Sequence, residues 1–192
     1  LIAGCGTGQS VVNYGRRFAQ ARVLAVDLSL TSLSYAKRKI QKLGLNVEFA
    51  QADILKLGAL KRRFDVINCS GVLHHLGDPM QGWRILLSLL EPSGVMSVAL
   101  YSEAARIDYV AAQKLIVQLG YGSTSDEIRR FRRDLIASEP TKMRAGVLGC
   151  GDFFTISACR DLLFHAQEHR MTIPQIKTFI EENGLTFLGF EL

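Results

Sequence analysis

Residues 1–8 read Leu-Ile-Ala-Gly-Cys-Gly-Thr-Gly, a short apolar run that ends in glycines at positions 4, 6 and 8. Glycine reaches backbone conformations closed to other residues and offers no Cβ to an approaching ligand, so this spacing describes a tight turn that a ligand can touch. A helical pattern follows the turn, and Asp27 closes the next apolar run, Val23-Leu24-Ala25-Val26, 19 residues after Gly8. Strand, glycine turn, helix, strand and acid in that order describe the first βαβ unit of an open parallel sheet. The start of the helix favours an anionic group, and a carboxylate at the second strand end can hold both hydroxyls of a ribose. The expected ligand is therefore a nucleoside. A dinucleotide fingerprint puts its third glycine where this chain has Gln9, which argues against a nicotinamide cofactor.

The alternation continues downstream. Residues 30–43 form a helical pattern closed by Gly44, 47–50 a third strand, 54–60 a short helical piece and 64–69 a fourth strand. Asp78 and Pro79 open the next helix and Pro92-Ser93-Gly94 ends it. The fifth strand, 95–101, is nearly all apolar, as expected of a strand covered on both faces. From Ser102 the alternation gives way to helical patterns over about 104–119, 126–138 and 156–169, with a looser Pro/Gly-rich stretch at 139–151. Thr172 and Pro174 open a last helix, Gly184 ends it, and 185–192 reads as a final strand. The expected fold is α/β: a doubly wound, mostly parallel, Rossmann-like sheet with a helical insertion after strand five. Residues 1–101 are the expected cofactor-binding core, 102–170 an insertion or lid, and 171–192 the final helix and strand of the core. The absence of methionine at position 1 and the half strand before Gly4 lead us to expect truncation at both ends.

Composition narrows the class further. Apolar residues at 48% and charged residues at 21% are ordinary for a folded globular chain. Four cysteines without a C-x-x-C pair suggest reduced thiols in a cytoplasmic protein, not a disulfide framework or zinc ribbon. No apolar run approaches the roughly 20 residues of a membrane span, and no secretory series opens the chain. The formal charge of +5 gathers in clusters such as Lys37-Arg38-Lys39, Lys61-Arg62-Arg63 and Arg129-Arg130 with Arg132-Arg133. Without an aromatic-interleaved RNA-binding signature these read as solvated helix faces. The expected partner is a small molecule or a protein, favoured over nucleic acid.

With the glycine loop and Asp27, further segments carry a resemblance: Ala52-Asp53-Ile54, Phe64-Asp65-Val66-Ile67, Val72-Leu73-His74-His75-Leu76 and Leu90-Glu91-Pro92-Ser93-Gly94. Together they resemble class I S-adenosylmethionine-dependent methyltransferases over residues 1–101. The segments Leu100-Tyr101-Ser102 and 159–165 are similar to the methyltransferase domains attached to tetratricopeptide-repeat proteins in bacteria. The resemblance implies that Gly4, Cys5, Gly6, Thr7 and Gly8 line the methionine part of S-adenosylmethionine. It places Asp27 and Leu28 at the ribose, Asp53 and Ile54 at the adenine, and Cys69, Ser70 and Gly71 beneath the sulfonium.

Methyl transfer from a sulfonium is an in-line displacement, so alignment supplies much of the acceleration and a base serves only a protonated nucleophile. Candidates for that base are His74, His75 and Tyr101, with His165, Glu168 and His169 behind them. Arg160, His165, His169 and Tyr101 are the expected acceptor contacts, with the insertion helices lying over the carboxyl ends of strands four and five. Residues 165–169 also spell H-x-x-E-H, which on a helix would put both histidines on one face as in a class of zinc peptidases. With no third acidic ligand evident on a following helix, no metal is expected. A non-catalytic nucleoside-binding or interaction module and an NAD(P)-dependent oxidoreductase stay open as alternatives.

Overall fold

The apolar runs become strands β1 (Ile2–Ala3), β2 (Val23–Asp27), β3 (Val47–Gln51), β4 (Phe64–Ser70) and β5 (Leu90–Ala99) in a computed structural model that describes residues 1–165 and 167–191. They form one sheet in the order β3-β2-β1-β4-β5, and every pairing is parallel. Helices α1 (Gln9–Arg17), α2 (Leu30–Lys42) and α3 (Pro79–Ser88) supply connections between the strands. The chain steps outward from β1 to β3 and then returns to β4 on the other side of β1. This reversal creates a crevice outside the carboxyl ends of β1 and β4, where open α/β sheets take their ligands. Ala25, Val26 and Ile67 from the strands and Val11, Ala36, Ile40 and Leu86 from the helices fill the core around it.

Strand β5 departs from expectation. It begins at Leu90 and runs through Pro92-Ser93-Gly94, the segment read from sequence as a turn. The register passes from Phe64 opposite Leu90 directly to Val66 opposite Val95, an irregularity that takes up the extra residues. Pro92 has no N–H for the ladder, and Gly94 sits so close to the Asp65 carbonyl that a Cβ there would lie 3.0 Å from it. β5 is also an edge strand with Val95 47% exposed, so its apolar run is not covered on both faces.

The chain divides into two compact units, Leu1–Leu100 and Tyr101–Leu192. The second contains α4 (Ile107–Gln118), α5 (Ser125–Ala137), α6 (Lys142–Leu148), α7 (Ile156–Leu163) and α8 (Ile173–Glu182). Ala112 and Ile116 of α4, Ile128, Phe131 and Leu135 of α5, and Cys159 and Leu162 of α7 pack into its own core. Helix α6 lies in the stretch read as loose. Thr141 caps it, and Gly146 lets it approach α4 so closely that a Cβ would meet the Asp108 carboxylate. Helix α7 stops at Leu163, before the end of the pattern read over 156–169. Ala166, inside that pattern, lies outside the described residues. Helix α8 groups with the second unit, and residues 185–191 carry no strand, leaving Phe187, Leu188 and Phe190 exposed. Leu192, the end of the expected strand, lies outside the described residues. An alternating apolar pattern becomes a strand only where a ladder receives it. No helix among the described residues is long and apolar enough to cross a membrane.

A buried ion pair ties the start of the second unit to the segment between α7 and α8. Arg106, 5% exposed, donates through Nε to Glu168 at 3.1 Å and through a terminal nitrogen to the other carboxylate oxygen and to the Leu162 carbonyl at 2.9 Å. Its guanidinium lies 3.9 Å from the Tyr101 ring centre and 4.8 Å from that of Tyr109. Next to it, Ser102 and Met171 form a parallel bridge. Removing one partner of such a pair strands a buried charge. Glu168→Ala is expected to destabilise the second unit by about 3–5 kcal/mol in urea unfolding, and the double variant Arg106→Met/Glu168→Leu by clearly less. Equal losses in the two variants would show that the charge pair is not what matters there.

Candidate functional site

Three glycines shape the turn after β1, and each does so differently. Gly4, Gly6 and Gly8 have φ of 75°, 51° and 93°, in the left-handed region that favours glycine. A Cβ on Gly4 would lie 2.2 Å from a methyl of Val72, and one on Gly8 would lie 3.1 Å from the Ala36 Cβ. Around Gly6 a Cβ would meet nothing within 4 Å. Packing therefore explains Gly4 and Gly8, whereas the space at Gly6 faces no protein atom and suits a ligand. Gly8 caps α1 and has no side chain to bond the first-turn N–H groups. In contrast, Ser29, Asp78, Thr124, Thr141, Thr155 and Thr172 cap α2, α3, α5, α6, α7 and α8 with side-chain bonds. The start of α1 thus keeps its donors and its positive dipole end for an anionic group.

Asp27 joins this loop to the next strand. Its carboxylate accepts from the Gly6 N–H at 2.7 Å and from the Ser29 N–H at 2.8 Å, one bond to each oxygen. A carboxylate has about four lone-pair directions, so both oxygens can accept again from a diol. The Leu28 side chain, 69% exposed, stands beside it. Gln51 donates to the Leu28 carbonyl at 3.0 Å and fixes that corner. Beyond it lies a cavity of ≈ 500 Å³ lined by Leu28, Gln51, Ala52, Asp53, Lys56 and Leu57 among others. Asp53 caps the short 3-10 helix Ile54–Ala59 through the Leu55 N–H at 2.9 Å, which sets where its carboxylate points, while the Ile54 side chain is buried beneath.

At the end of β4, Ser70 and Gly71 come to the same edge as the glycine loop, with Gly71 at φ 76° and open space beside it. Cys5 and Cys69 are present at that edge only through their backbones. Their side chains are buried, and burial pushes the thiols up to about 11 and about 12. Two residues that sequence reasoning missed stabilise this edge. Asn68, 3% exposed, donates to the Tyr14 hydroxyl at 3.1 Å and to the Ser70 hydroxyl at 3.0 Å. An amide inside an apolar strand was the available signal, because buried polar groups need partners.

The expected bases are placed unequally. His74 is 1% exposed and packs edge to face with His75 at 4.3 Å, so its ring belongs to the interior of the first unit; His75 is half-buried. Tyr101, first residue of the second unit, is raised above its ordinary value chiefly by burial and next by Asp161, so the phenol is neutral at physiological pH. Glu168 is held by Arg106 and Arg170, which removes it as a free base. Arg160 donates to the Ser123 carbonyl at 3.2 Å and to the Ser125 hydroxyl at 3.3 Å, tying α7 to the start of α5 instead of pairing with Asp161 or Glu168. His165 and His169 both lie beyond the end of α7, so the H-x-x-E-H residues do not share a helix face. Each interacts with Gln167, the His165 Nδ1 accepting its N–H at 3.4 Å and the His169 Nε2 lying 3.2 Å from its side-chain nitrogen.

Comparison with known proteins identifies the family. Residues 1–94 match the family described as a methyltransferase domain. An uncharacterized Synechococcus protein is 32% identical over 99% of this chain and 48% of its own length. The ubiquinone biosynthesis O-methyltransferase of Actinobacillus pleuropneumoniae is 29% identical over 50% of this chain and 42% of its own. The chain therefore spans less than half the length of both relatives. Among solved structures, PKMT2 from Rickettsia typhi in complex with AdoHcy superposes with a TM-score of 0.76 over 98% of this chain and 39% of its own, at 21% identity, a likeness of fold.

The two kinds of glycine are separable by experiment. Gly4→Ala is expected to cost more than about 2 kcal/mol of stability, adding the Val72 clash to the roughly 1–2 kcal/mol of a left-handed alanine. Gly6→Ala should cost only the latter and instead weaken binding of S-adenosylhomocysteine, read by calorimetry. Equal loss of stability in both variants would remove the distinction.

Proposed function

We propose, from the premise that residues 1–94 are a methyltransferase domain of the class I, S-adenosylmethionine-dependent type, that the chain transfers a methyl group to an acceptor which is a small molecule or a protein. The observation that carries this reading is the pairing of an open space over Gly6 with the Asp27 carboxylate bonded to the Gly6 N–H. The residues fit the cofactor: a loop without side chains, an acid with lone pairs to spare, a cavity beside Asp53 and a helix start with free donors. When bound, S-adenosylmethionine supplies a methyl group on a sulfonium. The protein holds the ribose through Asp27, borders the adenine with Leu28, Asp53 and Lys56, and presents Ser70 and Gly71 at the methyl end. Its contribution is alignment, worth several kcal/mol when the reacting atoms are held in line.

Acceptor recognition is assigned to the second unit, which the chain enters at Tyr101, two residues beyond the end of β5. A neutral Tyr101 phenol suits donation of a hydrogen bond to an acceptor oxygen or nitrogen. His75, His165 and His169 are the remaining titratable candidates for taking a proton, with a base required only if the nucleophile arrives protonated.

The cofactor assignment is tested by calorimetry with S-adenosylhomocysteine and, separately, NADH. S-adenosylhomocysteine is expected to bind and NADH not to bind. Asp27→Ala should weaken binding by about 1.5–3 kcal/mol, the value of charge-assisted hydrogen bonds to the ribose. Asp27→Asn, which keeps one acceptor oxygen, should lie between. Binding of NADH alone would overturn the reading, and an unchanged dissociation constant in Asp27→Ala would take Asp27 out of the site.

A further inference from the structure

The surplus positive charge is confined to one unit and, within it, gathers at one end. Residues 1–100 hold 12 Lys and Arg against 6 Asp and Glu, whereas 101–192 hold 11 against 12. In a parallel sheet with returning helices, helix ends and the loops that follow them lie at the amino edge of the strands, opposite the glycine loop. That edge collects Arg16 and Arg17 at the end of α1, Arg22 before β2, Lys39 and Lys42 at the end of α2, and Lys61, Arg62 and Arg63 before β4. Within the first unit, Glu48, Asp65 and Glu91 oppose them there. Arg62 is paired with Glu48 at 3.1 Å, and Arg63 donates to the Leu90 carbonyl at 3.1 Å.

Helix dipoles account for part of this pattern. Arg16, Arg17, Lys39 and Lys42 lie in last turns, where cations offset the negative helix end. Arg22 lies in a loop four residues beyond the C-cap of α1 and has no dipole to offset. The strand order puts the starts of β3 and β4 three strand spacings apart, about 14 Å, so the cations form a row and not a point. Within the row stands Phe18, 41% exposed, with Tyr14 stacked behind it at 6.1 Å and the Arg17 guanidinium 5.7 Å from its ring centre. In the sequence Phe18 directly follows Arg16 and Arg17, and the strand order brings Arg22 and the basic residues before β4 to the same edge. Arginine predominates in the row, and its planar fork suits phosphate oxygens.

We propose that the amino edge of the sheet in the first unit docks single-stranded nucleic acid, the row of cations following the phosphates and Phe18 offering its ring to a base. This is independent of the methyl-transfer reading, since the face lies at the opposite edge from the glycine loop. Exposed rings amid arginines are how strands are held without sequence preference, and such binding falls steeply with salt. An anionic bilayer would be attracted by the same charge, but a single exposed ring set among arginines favours the nucleic acid.

The test is fluorescence anisotropy of a labelled oligouridylate of about 20 nucleotides, enough to cover one such site, titrated with the protein across a range of salt concentrations. We expect binding at low salt that Arg16→Gln/Arg17→Gln/Arg22→Gln weakens at least tenfold. The slope of log Kobs against log salt should fall by about 2 in that variant, roughly 0.7 for each phosphate no longer neutralised. Phe18→Ala should weaken binding with little change in slope. Arg129→Gln/Arg130→Gln/Arg133→Gln, on α5 of the second unit, should bind as the parent does. Circular dichroism checks that each variant is folded, and Arg16, Arg17 and Arg22 are all exposed, so their loss leaves the core intact. No binding at low salt, an unchanged triple variant, or binding to phosphatidylserine vesicles without binding to the oligonucleotide would each overturn the proposal.

Discussion

The Asp27 carboxylate, accepting from the Gly6 and Ser29 N–H groups, is the interaction on which the site depends. It joins the end of β2 to the loop after β1 and adds to the Gly4 and Cys5 N–H groups that donate to the Val26 carbonyl, so two strands whose ladder covers Ile2 and Ala3 are also locked at their carboxyl ends. The bond to Gly6 orients the Cys5–Gly6 peptide in a loop whose glycines at 4, 6 and 8 have left-handed backbones. Gln51 extends the same logic to β3 by holding the Leu28 carbonyl. The edge of the sheet is thus preorganised by side chains that the ligand does not have to recruit.

Much of the first unit was legible because its signals are local. Glycine spacing, Asp27 at the end of a strand, the Asp78 cap and Gly44 with φ 66° each act over a few residues and need no partner from elsewhere. The misreadings came where a distant neighbour decided the outcome. Pro92 and Gly94 read as a turn because nothing in the sequence reveals that β4 would accept them in an irregular ladder. Helix α6 was hidden behind Gly146, whose role is close packing against α4, and residues 185–191 read as a strand without a ladder to join.

Site residues divided along the same line. Backbone-determined positions were readable, whereas side-chain roles depended on burial that the sequence does not display. His74 and His75 are neighbours in a Leu73–His75 turn, yet one ring is in the core and the other half-exposed. Glu168 looked like a base and is the counter-ion of Arg106; Arg160 looked like a ligand for an acid and is a tie between helices. The basic clusters behave similarly. Their meaning lies in which edge of the sheet they share, a property of topology and not of any one cluster.

The pairing of Arg106 with Glu168 spans 62 residues of chain. Closing a loop of that length costs on the order of 4 kcal/mol in chain entropy before any favourable interaction forms. Helices α4 to α7 lie inside the loop, and their mutual packing is local by comparison. The second unit is therefore expected to assemble its helices first and to close at Arg106 last, with the segment around Met171 arriving as a latch. Dissection of the protein has to respect that closure: a fragment ending after α7 would keep the Arg106 guanidinium in an apolar interior without its counter-ion, so the natural minimum for this unit runs past Met171.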